Sequence, residues 1–223
     1  SWGSFIGIQA AAQAPDYYHA YIGVGQLSQQ LQSEQLAYHY ALRAYQAAGN
    51  KKMVQKLEAA PPSTTAPLPR NYEALRDLYM HDIGIGTTRD MDSVITGIFF
   101  PSFKVKELTL GEKVNLWRGK IFSRSKGVNL WEEMLAADMA QRVPRLEIPA
   151  YFFHGQYDYT CATPLAQDYF ELLDAPVKGF YTFKDSAHTP IFEEPELALR
   201  ILQEDVMMGT TNLADSQSST RKN

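Results

Sequence analysis

Residues 148–158 have the sequence IPAYFFHGQYD, an apolar run that ends at Gly155 and is followed by the carboxylate Asp158. The length and the aromatic content of this run predict a buried strand. A helical pattern comes next, over residues 163–173. Residues 179–183 form a second short apolar run, and a final helical pattern covers residues 194–208. Because strands that alternate with helices of this length pair in parallel, the C-terminal part of the chain is predicted to be α/β with a parallel sheet.

The other end of the chain supplies one more piece of the same kind. Residues 1–14 carry a helical pattern that stops at Pro15, and residues 20–25 predict another buried strand. The residues between these two α/β pieces predict helices over 29–49, 51–60, 71–81, 91–100, 110–125 and 130–141, with an extended loop over 61–69. We therefore expect an α/β core over 1–27 and 147–208, a helical cap over 28–146 and a disordered tail over 209–223.

Composition restricts the classes of function. The 223 residues are 45% hydrophobic and 21% charged, as in ordinary globular proteins, and the formal charge of −4 gives no basic surface for nucleic acid. No run of residues predicts a membrane span, and no metal cluster or cofactor motif is visible, so we expect neither a metal nor a cofactor. The only cysteine, Cys161, excludes an internal disulfide and favours a reducing compartment, which predicts the cytoplasm.

Three residues in chain order carry the chemistry. Ser1 stands before a predicted helix, with the small residue Gly3 after it, as at the tip of a strand–turn–helix elbow. Asp158 follows one predicted strand and His188 follows the next. Loops at the carboxyl ends of parallel strands are where open α/β sheets place their sites. A serine hydroxyl needs a base, and that base works best when a third group fixes its tautomer, so the set predicts nucleophilic catalysis.

The chain resembles the α/β-hydrolase superfamily in this order and in four motifs. The motifs are Ser1-Trp2-Gly3 at the elbow, residues 155–158 at the acid, residues 187–190 at the base, and Glu193-Glu194-Pro195-Glu196 before the last helix. The large helical insertion is also similar to that of the prolyl aminopeptidase-like branch. The resemblance implies a serine hydrolase that acts on a short peptide or another small molecule.

The resemblance also implies roles for individual residues. Ser1 is expected to attack a carbonyl, His188 to act as base and then acid, and Asp158 to orient His188. The backbone N–H of Trp2 is expected to donate to the oxyanion. The strands before the elbow and the second oxyanion donor are absent from this sequence. We therefore expect that a missing N-terminal segment of the same enzyme completes the sheet, and that the chain alone is inactive.

Several side chains near these motifs are candidates for the substrate pocket. Gln26 follows the first predicted strand, and Tyr157 and Tyr159 flank the acid; all three are predicted substrate contacts, with packing in the core as the alternative. Cys161 is interpreted as a buried thiol, since nothing in the sequence marks it as activated. His154 ends a strand and can lie beside the acid.

Three alternatives to a peptidase remain. The same residues suit a carboxylic ester hydrolase, which makes the same acyl-enzyme. An N-terminal nucleophile hydrolase also begins with such a residue, but there the residue starts a strand, whereas the pattern after Ser1 is helical. Ser1 as an ordinary helix cap fits a third hypothesis, an inactive hydrolase scaffold whose helical block, residues 28–145, acts as an interaction module.

Overall fold

The computed structural model of the chain describes residues 1–123 and 128–216. Within these residues, the structure has three strands and eleven α-helices. The strands are β1 Tyr21–Val24, β2 Ala150–Gly155 and β3 Lys178–Phe183. The helices are α1 Trp2–Gln13, α2 Gln30–Ala47, α3 Lys51–Glu58, α4 Arg70–Asp82, α5 Phe100–Ser102, α6 Leu110–Phe122, α7 Leu130–Ala136, α8 Met139–Arg142, α9 Thr163–Leu172, α10 Pro190–Glu193 and α11 Pro195–Ile201.

The three strands form one parallel sheet in the order β1-β2-β3. Tyr21 pairs with Ala150, and Gly155 at the end of β2 pairs with Phe183 at the end of β3. All three carboxyl ends therefore lie at the same edge of the sheet. The fold is α/β with a parallel sheet, as the sequence predicts.

The central strand β2 is buried on both faces, which explains why its sequence is apolar throughout. Ala150 and Phe152 belong to a large core that α1, α2 and α9 share. Tyr151 and Phe153 point to the opposite face, where a smaller core with α11 lies. Side chains that alternate between two cores fix the register of β2, because a shift of one residue would exchange the two sets.

Two predicted helices differ from the structure near the sheet. The pattern over residues 130–141 is split into α7 and α8 at Ala137, whose backbone is extended. The break is stabilised because Asp138 caps α8 through Ala140 N–H and forms an isolated antiparallel bridge with Gln29. The last helix is likewise shorter than the predicted 194–208, since α11 ends at Ile201 and continues as a π-helical turn.

The predicted disordered tail is corrected in its first half. Residues 209–216 are packed against the protein because the buried carboxylate of Asp205 accepts hydrogen bonds from Asn212 N–H, Leu213 N–H and the Thr210 hydroxyl. Asp215 N–H also donates to the carbonyl oxygen of Phe180 on β3. The rest of that prediction, residues 217–223, and the end of the predicted helix 110–125 lie outside the described residues.

The block between β1 and β2 is helical, from α2 to α8. Its first half is anchored by buried tyrosines on α2 and α4, including Tyr38, Tyr72 and Tyr79. The second half carries apolar side chains on its surface, namely Ile95, Phe100, Leu110, Ile121 and Phe122. Within the described residues, no helix has the length and apolar character needed to cross a membrane.

Candidate active site

The acid loop, residues 156–162, begins where β2 ends. Its first turn is closed by Asp158 N–H, which donates to the carbonyl oxygen of Gly155 at 3.1 Å. The Asp158 side chain is 1% exposed, and its Oδ1 accepts the backbone N–H of Cys161 at 2.9 Å. A carboxylate taken so far from water needs such partners, and the loop is folded to supply them.

The second carboxylate oxygen of Asp158 faces the predicted base. His188 lies in the base loop, residues 184–189, which follows β3, and its Nδ1 is 2.9 Å from Asp158 Oδ2. Burial raises the pKa of Asp158, but the charge and the hydrogen bond of His188 outweigh it, so the pKa lies below its ordinary value. Because ionised Asp158 only accepts, Nδ1 donates, and Nε2 of the neutral ring is left as an acceptor. The pair thus has the geometry of a general base with its orienting acid.

A close contact between the two loops brings the pair together. Gly155 lies directly against the backbone of the base loop: a Cβ atom there would be 1.9 Å from the Ala187 carbonyl oxygen and 2.4 Å from that of Ser186. No side chain fits this space. Tyr157 N–H also donates to the carbonyl oxygen of Ser186 at 3.0 Å, which ties the acid loop to the base loop.

Ser1 lies at the amino end of α1, one residue before the first helical residue Trp2. Its backbone nitrogen donates to the carbonyl oxygen of Gly25, just after β1. Gly25 in turn packs against the base, because a Cβ atom there would be 2.6 Å from His188 Cε1. Ser1 and His188 therefore both contact Gly25. Ser1 precedes a helix rather than a strand, which does not fit the N-terminal nucleophile alternative.

Gly3, the small residue after Ser1 in the predicted elbow, has free space around it. A Cβ atom at Gly3 would meet nothing within 4 Å among the described residues, so no steric conflict seen there requires glycine. Trp2 stacks on Trp131 of α7, with ring centroids 5.5 Å apart. Because Trp2 is the first residue of α1, its backbone N–H has no acceptor within the helix and is available for another partner.

The acidic run after the base loop holds that loop in place. Glu193 Oε2 accepts the backbone N–H of Ala187 at 2.9 Å. Glu194 Oε1 accepts the Ser186 hydroxyl at 2.6 Å and the Asp185 N–H at 3.1 Å. Burial raises the pKa of Glu193. In the sequence, only the resemblance to α/β hydrolases pointed to this run. The contacts of Glu193 and Glu194 show that it holds the base loop.

The base loop is also tied to the helical block, through residues 84–90 after α4. His188 N–H donates to the Gly86 carbonyl oxygen at 3.2 Å, and Thr189 N–H and hydroxyl both donate to the Thr87 carbonyl oxygen. Arg89 N–H donates to Glu193 Oε1 at 2.6 Å. We call residues 84–90 the tether segment.

The three predicted substrate contacts lie in surroundings that differ from one another. Gln26 is 0% exposed, and both its polar groups have partners: Oε1 accepts the Tyr21 hydroxyl, and Nε2 donates to the Leu27 carbonyl oxygen. These contacts favour the alternative stated for Gln26, packing in the core, where its amide fixes the turn after β1; its contact with a substrate stays a prediction. Tyr157 lies half-buried under the Arg89 guanidinium, 3.6 Å from its ring centroid, and Tyr159 packs on Tyr40 of α2. Both tyrosines contact the helical block.

Two further groups border the acid. Cys161 is buried, and its burial raises the pKa of its thiol to about 11, as expected for an unreactive cysteine. His154 in β2 is fully buried, with Nδ1 3.7 Å from Asp158 Oδ2. Across residues 1–123 and 128–216, no cluster of three or more His, Cys, Asp or Glu side chains is arranged to hold a metal ion.

Comparisons with known proteins give one relative by sequence. No protein family model matches the chain. The probable aminopeptidase YbaC of Bacillus subtilis (strain 168) is 26% identical over 199 residues, which cover 88% of this chain and 60% of the relative. The chain thus spans about 60% of the length of that curated relative.

The chain is also similar to solved structures. MGS-M2, an α/β hydrolase from a Medee basin deep-sea metagenome library, covers 97% of this chain and 65% of its own length, with a TM-score of 0.46 and 16% identity. Rv0554 from Mycobacterium tuberculosis covers 96% of this chain and 64% of its own length, with a TM-score of 0.45 and 12% identity.

The elements that carry the candidate site have a simple order. A helix after Ser1, a strand, a helical insertion, and then two parallel strands that carry Asp158 and His188 follow one another along the chain. The order of these elements and the buried Asp158–His188 pair resemble those of α/β hydrolases, and the chain is similar in sequence to a probable aminopeptidase.

Proposed function

We propose that the chain carries the catalytic triad of a serine hydrolase, with Ser1 as nucleophile, His188 as base and Asp158 as the residue that orients His188. The observation that carries this proposal is the buried 2.9 Å hydrogen bond between His188 Nδ1 and Asp158 Oδ2. It fixes the tautomer of the ring, so that Nε2 is the atom free to take a proton. The shared contact with Gly25 supports Ser1 as the nucleophile.

The proposed reaction proceeds through an acyl-enzyme. Ser1 Oγ forms a bond to the substrate carbonyl carbon while its proton passes to His188 Nε2, and Trp2 N–H donates to the oxyanion. The protonated ring then gives the proton to the leaving amine or alcohol as the bond to the carbonyl carbon breaks. Water, deprotonated by the same ring, attacks the acyl-enzyme, and the proton returns to Ser1 Oγ on release of the acid.

For the substrate class, we propose short peptides or amides with a free amino terminus. The support is the name of the Bacillus subtilis relative, a probable aminopeptidase. A carboxylic ester hydrolase is the alternative, because esters pass through the same acyl-enzyme. Kinetics of the full-length protein on proline naphthylamide and on a short p-nitrophenyl ester distinguish them: ester activity alone contradicts the aminopeptidase proposal.

A fluorophosphonate probe tests the triad directly. In the full-length protein, we expect labelling at Ser1, its loss in Ser1→Ala, and a strong decrease in Asp158→Asn and His188→Gln. Ser63→Ala is the matched control, because the Ser63 hydroxyl bonds only to its neighbour Thr65 in an exposed loop of the helical block. Labelling that persists in Ser1→Ala, or labelling of another serine, would refute Ser1 as the nucleophile.

A non-enzymatic function has one observation in its favour. The second half of the helical block exposes apolar side chains, with Leu110 71% and Ile121 72% exposed, as an interaction surface does. If the full-length protein does not react with the probe although Asp158 and His188 are bonded, the scaffold hypothesis replaces the hydrolase.

We further propose that another segment of the full-length protein pairs with β1. Within the described residues, β1 pairs only with β2, so its other edge presents unpaired backbone groups. Ile22 on β1 is 37% exposed there. Amide hydrogen exchange in the full-length protein tests this: protection throughout β1 supports it, and rapid exchange along the free edge contradicts it.

A further inference from the structure

His154 holds a fixed tautomer in the core beside the acid. Its Nε2 is 2.7 Å from the backbone nitrogen of Gln26. A backbone N–H can only donate, so Nε2 must accept, and the neutral ring therefore carries its proton on Nδ1. The ring also stacks on Phe180, with centroids 5.3 Å apart and planes 16° from parallel, which fixes its orientation.

The protonated nitrogen of His154 points at the carboxylate. Nδ1 is buried without a hydrogen-bond partner within the described part of the chain, and the nearby acceptor is Asp158 Oδ2 at 3.7 Å. This is the same oxygen that His188 Nδ1 contacts at 2.9 Å. A buried N–H without a partner has an energetic cost, and a movement of less than 1 Å would form the missing bond. Hydrogen bonds at catalytic sites are often long in the absence of substrate and shorten when it binds.

We propose that His154 is a positioning residue, which as a neutral Nδ1–H donor holds the Asp158 carboxylate ionised and turned toward His188. The inference rests on the proposed triad. Asp158 Oδ2 then lies between two imidazole N–H groups, one from His188 on the base loop and one from His154 on β2. The other carboxylate oxygen is held by Cys161 N–H, so the carboxylate cannot rotate away from the base.

The surroundings keep His154 neutral. Burial lowers its pKa to about 4, although the adjacent Asp158 opposes this. The titratable groups around the Asp158 carboxylate are His188 from the base loop, His154 from β2 and the Cys161 thiol. At neutral pH, His154 therefore donates to Asp158 without adding a second positive charge beside the base.

The tautomer is tested first, without any substrate. In the full-length protein, nitrogen-15 NMR of the His154 ring should show a neutral ring with the proton on Nδ1 from pH 5 to pH 8. A proton on Nε2, or a charged ring at pH 6, would overturn the proposal. Because this measurement needs no turnover, it remains decisive even if the protein proves not to be a hydrolase.

Two substitutions then separate positioning from support of the fold. His154→Gln keeps an oxygen near Nε2 for Gln26 N–H but removes the donor to Asp158; His154→Asn keeps an N–H near Nδ1. We expect His154→Gln to raise the pKa of the Asp158 carboxyl, measured by carbon-13 NMR, by about 0.5 or more. We expect it to lower kcat about tenfold with KM unchanged, and to move the acid limb of kcat/KM to higher pH.

His154→Asn should restore the Asp158 titration and the pH profile to nearly wild-type values. If His154→Gln lowers only thermal stability and leaves the Asp158 titration and the acid limb unchanged, His154 is a packing residue and the proposal is wrong. A shifted Asp158 titration in a protein without hydrolase activity would retain the positioning role and refute the proposed function alone.

Discussion

The contact between Gly155 and the base loop gives the sharpest test of how the site is held. In Gly155→Ala, the new methyl group would lie 1.9 Å from the Ala187 carbonyl oxygen, whereas real Cβ contacts are at least 3.0 Å. The base loop must therefore move away from β2 by about 1 Å or more, since both close atoms belong to its backbone. His188 is the next residue, so its 2.9 Å bond to Asp158 is stretched beyond hydrogen-bonding distance.

The expected cost follows from two effects. Overpacking a rigid site costs about 1–3 kcal/mol, and weakening a hydrogen bond to a buried carboxylate costs about 1.5–3 kcal/mol. We therefore expect Gly155→Ala to lower the free energy of unfolding by about 3–5 kcal/mol in urea titrations of the full-length protein. Displacing the base by this distance should also lower kcat about a hundredfold in the folded enzyme.

Gly7→Ala is the matched control. Gly7 lies in α1, and a Cβ atom there would be 3.6 Å from Tyr21, an ordinary contact. Alanine should stabilise that helix by about 1 kcal/mol or less. If Gly155→Ala retains wild-type stability and the proton resonance of the Asp158–His188 hydrogen bond, then Gly155 does not lie as close to the base loop as described above.

Three further outcomes are expected. His154 has a pKa of about 4 in the folded protein and an ordinary value near 6.5 when unfolded, so its neutral form stabilises the fold fully above pH 6.5 and less as the pH falls. The loss should reach about 3 kcal/mol by pH 4 in urea titrations, and a similar slope in His154→Gln would contradict the assignment. Glu193→Ala should lower the free energy of unfolding by about 1–3 kcal/mol and decrease kcat, because Ala187 N–H and Arg89 N–H lose their acceptor. Glu193→Gln should retain most of the stability and most of kcat. Equal losses in the two variants would show that the carboxylate charge matters more than the contacts. The Cys161 thiol should react with a disulfide reagent in the native protein at least a hundredfold more slowly than in urea, as expected for a buried thiol with a raised pKa, and rapid native labelling would contradict its burial.

The pairing of Asp158 with His188 could be predicted from the sequence because it depends on local order. Asp158 and His188 each follow an apolar strand, and parallel strands bring their carboxyl ends together whatever the rest of the chain does. In the structure, His188 Nδ1 and Asp158 Oδ2 are 2.9 Å apart. The roles of Ser1 and Trp2 stay predictions until the full-length protein is labelled.

Other features depend on contacts that a pattern of strands and helices does not show. Tyr21 and Leu27 bond both ends of the Gln26 amide, although both are close to Gln26 in the sequence. The role of His154 depends on a backbone N–H 128 residues away. The split at Ala137 is stabilised by a bridge to Gln29, across the whole helical block. Periodicity reports local preference and cannot anticipate such long-range contacts.

The tether segment has a consequence for how the enzyme can diverge. Inserted segments commonly vary in sequence and length. In this chain, that variation is limited at the tether segment, because Gly86 and Thr87 accept hydrogen bonds from His188 and Thr189. If the proposed triad operates, a helical block that moves as a rigid body would also move His188, which would couple substrate entry to the position of the base. Exchange of this block between homologues should succeed only when residues 84–90 stay with the base loop they hold.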